Sequence, residues 1–65
     1  MDTTAYYQAI QRSDVLLRER RIEITAAQEA GSITAMEAAH LRVVALENHL
    51  AACQRARATH LDQAS

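Results

Sequence analysis

Apolar residues recur at every third and fourth position along most of the chain, which places them on one side of an α-helix. In the first half these spacings select Tyr6, Ile10, Ser13, Leu17, Arg20, Ile24 and Ala27. In the second half they select Met36, Ala39, Val43, Leu46, Leu50, Cys53, Arg57 and His60. Neither half alternates as a strand would, so the pattern predicts two helices, each with a seam of coiled-coil spacing.

The stretch AGSITAME, residues 30–37, separates the two predicted helices. Gly31, the only glycine, is expected to end the first helix because it adopts a positive φ without steric cost. Thr34 and Glu37 form the T-x-x-E capping box that begins a helix, and Ile33 is placed to pack on Ala38 as a hydrophobic staple. The stretch therefore predicts a single tight turn.

These signals predict one all-α domain that is an antiparallel helical hairpin. The first helix is expected over about residues 4–30, the turn over 31–34 and the second helix over about 35–62, and so short a turn makes the helices neighbours. The seams then pair as Ala27 with Ala39, Ile24 with Val43, Arg20 with Leu46, Leu17 with Leu50, Ser13 with Cys53, Ile10 with Arg57, and Tyr6 with His60. The predicted core of the hairpin or of its dimer consists of Tyr6, Ile10, Leu17, Ile24, Met36, Val43, Leu46, Leu50 and Cys53.

Apolar residues outside the seams favour self-association. Val15, Ile22 and Ala26 form a second stripe on the first helix, roughly 140° from the first stripe at 100° per residue. A chain of 65 residues buries little surface, and its single cysteine, Cys53, cannot form an intrachain disulfide. We therefore predict a two-fold homodimer that forms a four-helix bundle.

Two histidine or cysteine arrangements invite a chemical interpretation. His49 and Cys53 have the i, i+4 spacing of metal ligands, but Cys53 lies on the apolar seam, where a thiol acts as a small hydrophobe. Ser13 shares a predicted layer with Cys53, yet no histidine and carboxylate are expected to converge on either residue. The sequence therefore predicts no catalytic residue, no metal site and no cofactor, and a protein that is not an enzyme.

The charge balance disfavours nucleic acid as the main partner. The formal net charge is -1, and the arginines of the run RERR point in different directions on a helical wheel, so no single helix offers a track for phosphates. A dimer that gathers Arg12, Arg20, Arg55 and Arg57 from different helices remains the alternative, as a binder of RNA or DNA. A structural component of a larger assembly is a third possibility.

The N-terminal residues MDTTAYYQAI carry neither the basic nor the apolar region of a signal peptide, and no run approaches the ~18 apolar residues of a membrane span. A lone thiol also fits a reducing compartment. The expected location is the cytoplasm, without a membrane partner.

Arginine beside exposed aliphatic and tyrosine side chains is the composition of protein-binding surfaces. The residues expected to bind a second protein are Tyr7, Val15, Arg18, Arg21 and Ile22. The predicted function is that of a non-enzymatic modulator, an inhibitor that covers the surface of another protein.

In size, single turn and predicted dimeric bundle, the chain resembles the Rop-type RNA-binding hairpins in architecture. Its lysine-free, alanine-rich composition and the turn AGSITAMEAA also resemble small early proteins of Pseudomonas phages, among them the helical-hairpin anti-activators of a host quorum-sensing regulator. The second resemblance implies that a dimer sequesters a host transcription regulator in the host cytoplasm and blocks its binding to DNA.

Overall fold

The protein forms a hairpin of two α-helices in a computed structural model that describes residues 3–64. Helix α1 spans Thr3–Glu29 and helix α2 spans Ala35–Ala64. Helix α1 begins and ends one residue before the predicted bounds, while α2 begins at the predicted residue and continues two residues further. The prediction of an all-α helical hairpin is confirmed.

Gly31 ends α1 through a Schellman motif. Its φ is 76°. The Gly31 N–H donates to the carbonyl of Gln28 at 3.0 Å, and the Ser32 N–H donates to the carbonyl of Ala27 at 2.9 Å. These bonds satisfy carbonyls that a helix end otherwise leaves unpaired. A side chain at residue 31 would meet open space, so the positive φ, and not packing, requires glycine here.

The predicted capping box begins α2. The Thr34 N–H donates to Glu37 Oε1 at 3.0 Å, and the Glu37 N–H donates to Thr34 Oγ1 at 3.0 Å. These hydrogen bonds, that of the Thr34 backbone foremost, lower the pKa of the Glu37 carboxyl from its usual value of 4.5. Ala38, the staple position, is fully buried, and Ile33 is half-buried. The first turn of α2 is therefore fixed in its orientation towards α1.

Replacing Glu37 with glutamine is expected to remove an acid-sensitive part of the stability. Because the carboxyl has a lower pKa in the folded chain, its contribution is full above pH 4.5 and is lost as the pH falls through the folded pKa. Urea unfolding between pH 7 and pH 3 should show the wild type losing stability relative to Glu37→Gln. Glu47→Gln removes a carboxylate from the middle of α2, and an identical pH profile for the two variants would contradict the prediction.

The face that α1 buries is largely the predicted one. Ser13 and Ile24 are buried, with relative exposures of 9% and 1%, and the other large apolar residues of that seam are half-buried. At the open end of the hairpin Tyr6 packs on His60, with ring centroids 4.8 Å apart. This contact is the outermost of the predicted layers. Arg20 is the exception, because its side chain is half exposed and pairs with Glu23 at 3.2 Å.

The face that α2 turns towards α1 lies one residue before the predicted seam. Ala38, Ala45 and Ala56 are buried, and His49 and Ala52 are half-buried between them. A shift of one residue rotates the face by about 100°. Four predicted core residues are consequently exposed in the hairpin, namely Met36 (83%), Val43 (54%), Leu46 (49%) and Leu50 (52%).

The predicted layers that use an exposed residue of α2 are wrong within the hairpin: Ala27 with Ala39, Ile24 with Val43, Arg20 with Leu46, Leu17 with Leu50, and Ile10 with Arg57. The turn supplies the physical reason. Ala38 is held inward as the staple of the capping box, and seven-residue steps from it bring Ala45 and Ala52 to the same face. Alanines then lie opposite the larger side chains of α1 and leave room for them.

The hairpin is a single layer of secondary structure. The Cα atoms extend over 50 × 16 × 9 Å, so the smallest dimension is that of one helix. Stable domains usually pack two layers around a common core. The fold therefore leaves both broad sides of the layer open, one of which carries the displaced apolar residues of α2.

Candidate functional site

A chain of polar side chains crosses the seam between the helices. Ser13 Oγ lies 2.8 Å from His49 Nδ1, and His49 Nε2 lies 3.3 Å from Asp14 Oδ1. A single tautomer satisfies both contacts, with Nε2–H donating to Asp14 while Nδ1 accepts from the Ser13 hydroxyl. Ser13 is buried and His49 is nearly so, whereas Asp14 is half exposed. We call Ser13, His49 and Asp14 the Ser13 cluster.

The Ser13 cluster corrects a prediction from the sequence. A histidine and a carboxylate do converge on Ser13, and the predicted partner of Ser13, Cys53, is replaced by His49. The cause is again the rotation of α2. Steps of four, three and four residues from the staple position Ala38 lead to position 49. The capping box therefore already indicated that His49 lies on the face of α2 that contacts α1.

Serine, histidine and aspartate are the side chains of an acyl-transfer triad, but the surroundings of Ser13 do not suit that reaction. Such catalysis needs free N–H donors where an oxyanion develops. Ser13 lies well inside α1, where each backbone N–H donates to the carbonyl four residues earlier. The arrangement therefore supports hydrogen bonding between the helices and not nucleophilic attack.

Ser13→Ala is expected to destabilise the protein by about 1–3 kcal/mol, because His49 Nδ1 loses its 2.8 Å hydrogen bond and keeps only the 4.0 Å contact with Cys53 Sγ. Adding His49→Leu should recover most of the loss, since replacing both partners by apolar groups can be nearly neutral. Urea unfolding of the two single variants and the double variant, at one protein concentration, measures the coupling. If the double variant lost as much stability as the two single variants together, Ser13 and His49 would not be energetically coupled.

Cys53 lies beside the Ser13 cluster. Its Sγ is 3.7 Å from His49 Nε2, so the i, i+4 pair noted in the sequence is in contact, and the thiol is half-buried. Among the residues described, no group of three or more His, Cys, Asp or Glu side chains is arranged to hold a metal ion.

The largest exposed feature is an apolar stripe along α2. Its members are Met36, Val43, Leu46, Leu50 and Leu61, and we call it the α2 stripe. Each is about half exposed or more. A shallow groove lined by Leu17, Arg21, Arg42, Val43 and Leu46 places two members of the stripe, Val43 and Leu46, beside part of α1 on one broad side. We call this the Leu46 side.

The opposite broad side carries a second groove. Its groove is lined by apolar residues of both helices, including Leu16 and Val44, and by a rim of charged and amide groups, including Glu23, Asn48 and Arg55. We call this the Val44 side. Leu16 is 66% exposed, and its position beside the predicted seam gave no separate signal in the sequence.

The five residues expected to bind a second protein are all exposed, but they do not form one patch. Arg18, Arg21 and Ile22 line one depression along α1, and Val15 lines another. Tyr7 lies at the open end, with its ring edge-on to Tyr6 at a centroid distance of 5.6 Å. The structure therefore brings three of the five together.

The arginines considered for nucleic acid are divided between surfaces. Arg20 and Arg55 line the groove of the Val44 side together with Glu19 and Glu23, and Arg20 is paired with Glu23. Arg12 lines a separate depression on α1. Carboxylates within the groove weaken its attraction for phosphates.

Within the described residues, no helix is long and apolar enough to cross a membrane. Comparisons with protein families, with curated proteins and with solved structures return no match to this chain.

Proposed function

We propose that the protein is a non-enzymatic, dimeric protein-binding module that inhibits or modulates another protein by covering part of its surface. The observation that carries the proposal is the inverted distribution of side chains on α2. Helix α2 buries three alanines and exposes most of its large aliphatic residues, namely Ala38, Ala45 and Ala56 against Met36, Val43, Leu46, Leu50 and Leu61. Contiguous exposed apolar surface of this kind is typical of interfaces with other proteins.

The dimensions of the hairpin support self-association. A broad side measures 50 × 16 Å between Cα extents, or about 800 Å². That is close to the area of about 800 Å² that each partner contributes to a standard protein–protein interface. Two hairpins stacked on this side supply the second layer that a stable helical domain needs and form a four-helix bundle.

The outer edge of α1 is the proposed surface for the second protein. Ile22 is 63% exposed, and Arg18 and Arg21 lie in the same depression. An aliphatic anchor with neighbouring arginines suits a protein partner, because arginine offers both planar stacking and forked hydrogen bonds. In line with the phage anti-activators that the chain resembles, the proposed partner is a host protein such as a transcription regulator.

The test compares three immobilised proteins in an extract of the host cell. Wild type and Val44→Glu are expected to retain the same protein, and Ile22→Glu is expected to lose it, because a carboxylate replaces the apolar anchor. Val44→Glu makes a comparable change on a different surface of the hairpin. Equal retention by all three, or retention of nothing above background, would refute the proposed binding surface.

A further inference from the structure

We infer that a second copy of this chain occupies the Leu46 side, with the two α2 helices antiparallel and a two-fold axis that crosses α2 at the level of residue 48, between Leu46 and Leu50. This inference rests on the self-association in the proposed function and specifies its interface. The seam positions of α2 are spaced symmetrically about residue 48, with 36, 39, 43 and 46 before it and 50, 53, 57 and 60 after it. A two-fold axis at this point pairs every one of these positions with a position of the other copy.

The side chains fit this register by size. Leu46 lies against the partner's Leu50 and Leu50 against the partner's Leu46, which forms the centre of the interface. On either side Val43 meets the partner's Cys53, and Ala39 leaves space for the partner's Arg57. Alternating large and small residues in facing positions is how helix interfaces reach dense packing.

The neighbouring register, one heptad towards the C-terminus, is less suitable. It would place Arg57 against the partner's Leu46 and leave Met36 outside the interface. Burying an unpaired guanidinium against leucine is strongly unfavourable, so the register centred at residue 48 is preferred to this one.

Charge complementarity on α1 supports the same axis. In the hairpin Ser13 contacts His49 and Tyr6 contacts His60, so residue 48 of α2 lies level with residues 14–18 of α1. A two-fold axis at that level brings Asp14 level with the partner's Arg18, twice in the dimer. Asp14 and Arg18 line one depression with Leu17 and Arg21, which also line the groove of the Leu46 side. The rim of the interface therefore places opposite charges together, and Arg18 belongs to this rim, beside the surface around Ile22 that is proposed for the second protein.

Disulfide formation tests the register, because Cys53 is the only cysteine of the chain. In the variant Val43→Cys, each new thiol faces the partner's Cys53, and mild oxidation is expected to give a covalent dimer with two bonds. The wild type should remain uncrosslinked, since Cys53 and its copy are separated by ten residues along the axis, about 15 Å. Val44→Cys, on the Val44 side, is the matched control, and Val43→Cys with Cys53→Ser should lose the crosslink.

The mass of unoxidised wild type by light scattering separates the possible failures. A dimer in which Val43→Cys crosslinks faster than Val44→Cys, and only when Cys53 is present, supports the inference. A dimer in which the two variants crosslink alike, or in which the crosslink survives Cys53→Ser, overturns this interface and leaves self-association intact. A monomer at all concentrations overturns both, and leaves the α2 stripe to a different protein.

Discussion

Ile24→Ala is expected to remove a large part of the stability of the fold, about 2–5 kcal/mol. Among the described residues, Ile24 is the one large side chain that is fully buried, with 1% relative exposure. Truncating it loses apolar burial and leaves a cavity in a seam whose opposite wall consists of alanines. Proteins are stable by about 0.05–0.15 kcal/mol per residue, so a chain of this length has little in reserve. Urea unfolding followed by circular dichroism measures the loss.

Ile22→Ala is the matched control for this experiment. It makes the same substitution two residues away, at a side chain that is 63% exposed. The free energy of unfolding is expected to change by no more than about 0.5 kcal/mol, partly because alanine favours the helix. If the two variants lost equal stability, the packing of α2 on Ile24 would not be the main support of the hairpin.

Leu50→Glu is expected to convert the proposed dimer into a monomer. At the centre of the inferred interface the variant places two carboxylates, one from each copy, among leucines, and each buried ion costs several kcal/mol. A loss of about 2.7 kcal/mol in the free energy of dimerisation raises the dissociation constant about a hundredfold. We expect an effect of at least that size. Sedimentation or light scattering over a concentration series measures the change.

Leu16→Glu controls for the general effect of replacing an exposed leucine by glutamate. Leu16 is 66% exposed and lines the groove of the Val44 side, whereas Leu50 is 52% exposed and belongs to the α2 stripe. Leu16→Glu should keep the wild-type mass. A dimer that tolerates Leu50→Glu but dissociates with Leu16→Glu would place the second copy on the Val44 side.

The turn could be predicted from the sequence because its interactions are local. Gly31 needs only its own positive φ and bonds to the end of α1, and Thr34 and Glu37 bond to one another across three residues. No distant residue has to be in place for these contacts to form. The prediction of two helices joined at this stretch is confirmed for the same reason.

The face of α2 that contacts α1 could not be predicted from apolar spacing alone. Val43, Leu46 and Leu50 form a regular seam in the sequence, but spacing does not say which neighbour covers a seam. The staple position Ala38 indicated a different face of α2, so the capping box and the apolar spacing gave conflicting predictions. In the hairpin the face of α2 that includes Ala38 is turned towards α1, which agrees with the capping box and its staple position and leaves Val43, Leu46 and Leu50 exposed.

The sequence by itself determined the two helices, the turn between them, the face that α1 buries and the presence of an apolar stripe on α2. These features depend on local hydrogen bonds and on residue spacing within one helix. Only the tertiary structure decided the rotation of α2, and with it the burial of alanines, the contact of Ser13 with His49 and the exposure of Leu46 and Leu50. The physical reason is that a rotation of about 100° leaves the helix itself unchanged and alters only what each of its sides meets.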